Sequence, residues 1–269
     1  MTAVRDILGK GNLIQDSNNK CEIHDIQMVK YPFGSFCPFC ANEQIERENE
    51  ALTKKYSDKR DKELADQYKL LFEHESMIAD KQIKQCTLEN YKPLNEEATE
   101  NLKKAHECLN MYLKGTVFNL FIAGPCGTGK SHLAYGIARE LSKNKKVIFL
   151  TMGELLRKVK STFNKNSLVT EYDIINKLTK VDYLVIDDLG AECGTMDSDK
   201  KASDFINRVL FDVLEGRQGK STIFTTNLSG KQIEQKYDER SYSRMFNNYQ
   251  FIKFVDTKDY RKKQITFWE

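Results

Sequence analysis

The sequence predicts an α/β fold: a parallel sheet flanked by helices, joined by a charged helical linker to a small cysteine-rich N-terminal module. Three observations predict it. Short apolar runs alternate with amphipathic helices from residue 117 onward, one strand–helix junction is a glycine-rich loop, and Cys21, Cys37 and Cys40 crowd together near the start of the chain.

The alternating part reads as strand Val117–Ala123, helix Ser131–Ser142 with Leu133, Ile137 and Leu141 on one face, strand Lys146–Thr151, helices Gly153–Phe163 and Glu171–Leu178, strand Val181–Asp187, helix Ala202–Glu215 and strand Ser221–Thr226. Continuous apolar runs, rather than strict alternation, indicate strands buried on both faces, as a helix-covered parallel sheet requires. Before them, residues 96–114 form a helix with Leu102, Ala105, Leu109 and Leu113 on one stripe, after a break at Asn90–Pro93. Residues 43–85 contain no glycine or proline and are laced with charge, favourably at Lys59–Glu63 and unfavourably at Glu46–Glu50. Their thin apolar content suits one or two bridging helices and not a core element. The chain therefore divides into a module at 1–42, a linker at 43–85 and a catalytic domain at 86–269.

Lys plus Arg number 42 and Asp plus Glu 39 in 269 residues, a net charge of +3. That near balance excludes a protein that coats nucleic acid by bulk charge; any DNA contact must be a local patch. With 40% hydrophobic and 30% charged residues, the composition is that of a globular chain. No apolar run approaches the roughly 18 residues of a membrane span. The stretch Met1–Gln15 lacks the apolar region of a signal peptide, so a cytoplasmic location and no membrane partner are expected. Seven cysteines, an odd count without an export signal, argue against a disulfide framework.

Gly124-Pro125-Cys126-Gly127-Thr128-Gly129-Lys130-Ser131 fits G-x-x-x-x-G-K-[ST], with a strand before it and a helix after it. The glycines let backbone N–H groups wrap an anion, and the helix that begins near Lys130 adds the positive end of its dipole. Lys130 is expected on the β- and γ-phosphates, and the Ser131 hydroxyl on Mg²⁺. His132 completes the nucleotide-binding segment, although it, His74 and His106 lack any partner at a ligand spacing. Cys126 lies inside the loop, where alkylation would block a nucleotide.

Tyr183–Asp188 is an apolar strand that ends in two carboxylates. Asp187 is expected to hold Mg²⁺ and Asp188 to orient and deprotonate the attacking water. A lytic water needs a base, so the pair favours hydrolysis over simple binding. Aspartate is one methylene shorter than glutamate; if the family's base is glutamate, turnover here is expected to be slower. A third strand ends in Thr225-Thr226-Asn227, and the Asn227 amide can orient the same water.

In this order and spacing, GPCGTGKS, LVIDDLGAE and TIFTTNLS resemble the bacterial and phage helicase loaders of the DnaC/DnaI type, a clade of AAA+ ATPases close to replication initiators. The segment Thr87–Pro93 also resembles that family, and the likeness extends over residues 80–265. The resemblance implies an AAA+ P-loop core, ATP as the nucleotide, and a replicative DnaB-type helicase and single-stranded DNA as partners. It places the sensor 1 residue at Asn227, the arginine finger at Arg244 ahead of Arg240, and the sensor 2 arginine at Arg261. A finger acts on a neighbouring subunit, so it also implies self-association through the ATPase domain.

Arg157 and Lys160 are three apart on a predicted helix, and Phe163 is three further on, within the basic run that ends at Lys165. Cations for phosphates and a ring for base stacking are the minimal single-strand binding set. Lys160 and Phe163 also match the segment with which loaders grip single-stranded DNA; the competing reading buries Phe163 in the core.

Cys21-x2-His24 and Cys37-x2-Cys40, twelve residues apart, form C-x2-H-x12-C-x2-C. Three thiolates and one imidazole fit a closed, structural Zn²⁺ site. About forty residues bury too little core to fold alone, so the metal would supply the folding energy. The resemblance implies that this module docks on the helicase, while small zinc ribbons also bind DNA.

Three other readings compete with a helicase loader. One is a transposition helper ATPase of the IstB type with the same core and paired acids. Another is a small-molecule P-loop kinase, which has no use for Arg244 in trans. The last is a zinc adaptor whose nucleotide site is only a clamp.

Overall fold

The computed structural model describes residues 14–31, 34–78, 80–164, 166–194 and 200–261. The leading segment 1–13, Lys165 of the basic run and residues 262–269 lie outside the described residues. Two compact units divide between Glu63 and Leu64.

The first unit opens with strands β1 (Ile14–Lys20), β2 (Gln27–Tyr31) and β3 (Gly34–Phe36), an antiparallel sheet in that order. The weak periodicity of this stretch gave no sign of these strands. Helix α1 then runs without interruption over Pro38–Glu75. It starts before the expected boundary at 42/43, so Cys40 belongs to its first turn, and it is one helix that ends ten residues before Gln85. Pro38 is its first residue, where a missing N–H costs nothing. Lys59 and Glu63 form the expected ion pair at 3.8 Å. Phe72 is the buried residue of α1 among those described, in agreement with its thin apolar content.

In the second unit, α1 gives way to a short bridge from Met77 to Leu150 and a 3₁₀ turn at Lys81–Gln85, where a continued helix was expected. Helix α2 (Glu96–Leu113) follows, capped by Asn95, whose side chain accepts from Ala98 N. Its buried face is Ala98, Asn101, Ala105, Cys108, Leu109 and Tyr112. Leu113 of the expected stripe is 50% exposed; the inward face includes polar Asn101, which a search for apolar periodicity passes over.

The core then alternates: β4 (Asn119–Ala123), α3 (Lys130–Leu141), β5 (Val147–Thr151), α4 (Met152–Ser161), α5 (Glu171–Lys180), β6 (Tyr183–Leu189), α6 (Asp204–Glu215), β7 (Ser221–Thr226), α7 (Gly230–Lys236), α8 (Glu239–Met245) and β8 (Tyr249–Lys253). The five strands form one parallel sheet in the order β5-β6-β7-β4-β8. Side chains alternate across it as strand geometry demands. Leu120, Ile122, Phe149 and Val185 face α2 and α3, whereas Phe121, Ile148, Ile186 and Phe224 face the side of α4, α5 and α6. Leu133, Ile137 and Leu141 of α3 are fully buried, as expected.

This order brings the carboxyl ends of β4, β7 and β6 side by side, with Ala123 paired to Thr226 and Thr226 to Leu189. Open α/β sheets bind ligands at such an edge. The expected strand Val181–Asp187 is shifted, because β6 continues through both acids to Leu189 and carries an irregularity between Ile186 and Leu189. The expected strand start at Val117 also moves, to Asn119.

Candidate nucleotide site and metal centre

The glycine-rich loop joins β4 to α3 as the sequence indicates. Gly129, the N-cap of α3, has φ +96° and no side chain caps the helix, whereas α2, α4, α5, α6, α7 and α8 each carry a side-chain cap. The first N–H groups of α3 thus keep their donors for an outside acceptor, and the helix dipole favours a negative one. At Gly127 (φ +75°) a Cβ would collide with the Asp259 carboxyl at 1.7 Å, so only glycine lets the C-terminal segment lie this close.

A cavity of about 450 Å³ opens over the loop. Its walls include Lys130, Ser131, His132, Asp188, Asn227 and Arg261. Lys130 is buried and its Nζ donates to Pro125 O at 2.7 Å. Burial lowers its pKa, against the charges of Cys126, Asp188 and Asp187. Asp187 is 1% exposed. Burial, then the charge of Asp188, raises its carboxyl to about 6, partly countered by hydrogen bonds from Thr225 and Ser131. A buried acid beside a second acid and a hydroxyl is a hard oxygen donor set that a divalent cation would satisfy. Ser131 and Asp187 are therefore the residues that fit Mg²⁺.

Asp188 is exposed, with φ +55°. A non-glycine residue in the left-handed region marks the irregularity in β6, which separates the roles of the two acids: one points down, the other out toward the cavity. Thr225, which the sequence reading left without a role, ties them together. Its hydroxyl donates to Asp187 Oδ1 at 2.5 Å and accepts from Asp188 N at 2.9 Å. Asn227 donates through Nδ2 to Cys126 Sγ at 3.3 Å, while its buried Oδ1 has no hydrogen-bond partner. That acceptor is available for a water in the cavity.

His132 has the partners that its sequence context did not suggest: its Nε2 lies 2.9 Å from both Thr87 O and Asn90 Oδ1, and its ring meets Tyr91 edge-on. It fastens the segment before α2 to the nucleotide loop. Tyr260 and Asp259 were also not foreseen; Tyr260 N donates to Gly127 O at 2.8 Å.

Arg244 and Arg240 do not line this cavity. Both guanidinium groups stack on Phe211, at 4.4 and 4.6 Å, and Arg244 is hydrogen-bonded to Glu215 and to Arg240 O.

Helix α4 ends at Ser161, so Phe163 lies in the following turn and does not share a helix face with Arg157 and Lys160 as expected. Phe163 is 62% exposed, which removes the reading that buries it. Its ring lies 5.9 Å from Phe205, and Lys160 Nζ lies 5.6 Å from the same ring. Arg157 is ion-paired to Glu154 on its own helix.

In the first unit, the metal-binding atoms of Cys21, His24, Cys37 and Cys40 all lie within 4.8 Å of one another. Cys21 Sγ and Cys40 Sγ are 3.6 Å apart, and His24 Nδ1 lies 3.7, 3.6 and 3.4 Å from the sulfurs of Cys21, Cys37 and Cys40. Tetrahedral Zn²⁺ at its usual bond lengths requires about 3.7 Å between sulfurs and about 3.5 Å from sulfur to nitrogen. The set therefore fits zinc. The other ring nitrogen, Nε2, lies 3.1 Å from Glu43 Oε1, the outer hydrogen bond that orients a metal-bound imidazole. None of the seven cysteines is joined in a disulfide.

Residues 47–249 match the family described as IstB-like ATP binding protein. The chain belongs to this family. The match does not include Cys21, His24, Cys37, Cys40 or Arg261. Among relatives, the family member is 31% identical over 182 residues to the replicative helicase loader DnaC of Buchnera aphidicola subsp. Baizongia pistaciae, covering 66% of this chain and 70% of that protein. It is 35% identical over 108 residues to the replicative helicase loader DnaC of Escherichia coli K12, covering 40% of this chain and 43% of that one. Its fold is similar to the crystal structure of DnaI, with a TM-score of 0.54, 23% identity, and coverage of 67% of this chain and 96% of that one. The likeness is one of fold, in the parallel-sheet core. No helix among the described residues is long and apolar enough to cross a membrane.

Proposed function

We propose that this protein hydrolyses ATP as a switch while loading a ring-shaped replicative helicase of the DnaB type onto single-stranded DNA in the cytoplasm. One observation carries the reading: the phosphate loop, Asp188 and Asn227 line one cavity, with Asp187 buried beside Asp188, in a chain with curated relatives named replicative helicase loaders.

The α3 N-terminus and Lys130 hold the phosphates. Ser131 and Asp187 would hold Mg²⁺, which would supply positive charge to the phosphate oxygens when bound. Asp188 takes the proton of the attacking water, which Asn227 orients through its free Oδ1. Arg261 contacts the nucleotide from the C-terminal segment. Arg244, swung away from Glu215, reaches the site of a neighbouring subunit and stabilises the transferring phosphoryl group. Lys160 and Phe163, with Arg157 beside them, contact single-stranded DNA. The N-terminal module, folded around Zn²⁺, docks on the helicase.

The family description favours a second reading, an IstB-type transposition helper. Both make the same use of the cavity and differ in partner. Co-purification with a replicative helicase ring separates them. Wild-type protein is expected to be retained with ATP present, and Cys37→Ser to be lost. Retention of neither, together with tight binding of duplex target DNA, would rule out the loader and support the helper.

A further inference from the structure

The C-terminal segment that meets the phosphate loop is hydrogen-bonded to the start of α2. The Glu97 carboxylate accepts from three consecutive backbone N–H groups: Val255 at 2.6 Å, Asp256 at 3.1 Å and Thr257 at 2.8 Å. The Thr257 hydroxyl donates to the same carboxylate at 2.5 Å and lies 3.1 Å from Asn95 Oδ1, the α2 cap. One turn along, Asn101 Nδ2 donates to Lys253 O at 2.8 Å. Burial pushes the Glu97 carboxyl up, but its bonds to Thr257, Val255 and Asp256 outweigh that and hold it below the usual range, so it is the anion that is bound.

Three residues beyond this knot the chain meets the nucleotide site. Tyr260 N donates to Gly127 O, and its hydroxyl to Lys92 O at 2.5 Å. Asp259 Oδ1 accepts from Arg261 N at 2.9 Å, and Arg261 lines the cavity. Nothing in the sequence flagged Glu97, because it sits 158 residues or more from its partners.

We infer that Glu97 is a positioning residue: by collecting the backbone of Val255–Thr257, it fixes Tyr260 and Arg261 against the phosphate loop. A carboxylate serves better than an amide here, since it presents only acceptors to four donors. The inference rests on the reading of this cavity as an ATP site.

The test is an equilibrium titration of the full-length protein with a fluorescent ATP analogue and Mg²⁺. Glu97→Gln is expected to weaken binding about tenfold, as Arg261→Ala does, and the double variant to bind no more weakly than Arg261→Ala alone, since groups that act as a unit are non-additive. Thr257→Val, which removes one donor and leaves the backbone bonds, is expected to weaken binding about threefold and decides the question if Glu97→Gln fails to fold. Unchanged affinity in either variant, or losses that add in full in the double variant, would overturn the inference. Lys130→Ala separates this failure from that of the ATP site: if it still binds the analogue, the site itself is misassigned, whatever Glu97 does.

Discussion

The N-terminal module and the parallel core can be set side by side. Among the residues from 19 to 63 whose burial is described, only Cys21, Val29 and Cys37 are buried, and two of those belong to the cluster that fits zinc. In the core, all five residues of Val147–Leu150 and Ile186 are fully buried, as are Phe121 and Phe224, whose rings stack at 4.9 Å. We therefore expect the module to depend on four polar side chains meeting at one metal ion, and the core on apolar area removed from water. The difference teaches where each can be broken: the module by removing an ion, the core only by removing volume.

The largest expected effect follows from that contrast. Chelating the metal should unfold the module outright, since structural zinc supplies on the order of 10 kcal/mol. The melting of the core should not change. Hydrogen exchange on the full chain, before and after chelation, checks both halves; full protection of residues 14–40 without metal would erase the contrast. Next in size, Phe224→Ala should destabilise the core by about 3–5 kcal/mol, read by denaturant unfolding, and leave metal content unaltered.

Asp187→Asn should act in the opposite direction. Burial and the charge of Asp188 hold the folded-state carboxyl at about 6, above its ordinary value of 3.8, so the folded protein binds the proton more tightly. Stability therefore declines as pH rises between those values, and the penalty is fully present above them. Removing the charge should stabilise the nucleotide-free protein at pH 7.5 by about 2 kcal/mol, and should flatten the dependence between pH 4 and 6. A variant that melts lower than wild type at pH 7.5 would show that the buried charge is not the cost assigned to it. The smallest effect is expected at the module's outer bond: Glu43→Gln should weaken metal binding about tenfold, measured by competition with a chromogenic chelator, without unfolding the module at saturating metal.

The two regions also differed in how openly their sequences declared them. The core spoke through period and punctuation: Leu133, Ile137 and Leu141 mark one face of α3, and GPCGTGKS sits between a strand and a helix as the motif requires. The convergence of Cys21, His24, Cys37 and Cys40 was equally plain, because their spacing is the one that the reach of a single ion would set. Its strands were not, for a sheet that buries little has no apolar alternation to read. The end of α1 at Glu75 was hidden for a related reason, since a polar helix and a polar turn have similar composition. The contacts of Thr225, His132 and Glu97 escaped notice because their partners lie 37 to 160 residues away and meet them only once the strands are ordered. Phe163 was placed on a helix that stops two residues earlier.

Single-turnover cleavage of prebound ATP by Asp188→Asn tests the central assignment most directly. The account predicts affinity within about twofold of wild type and cleavage slower by about a hundredfold or more, the usual worth of a general base. Cleavage at the wild-type rate would contradict it.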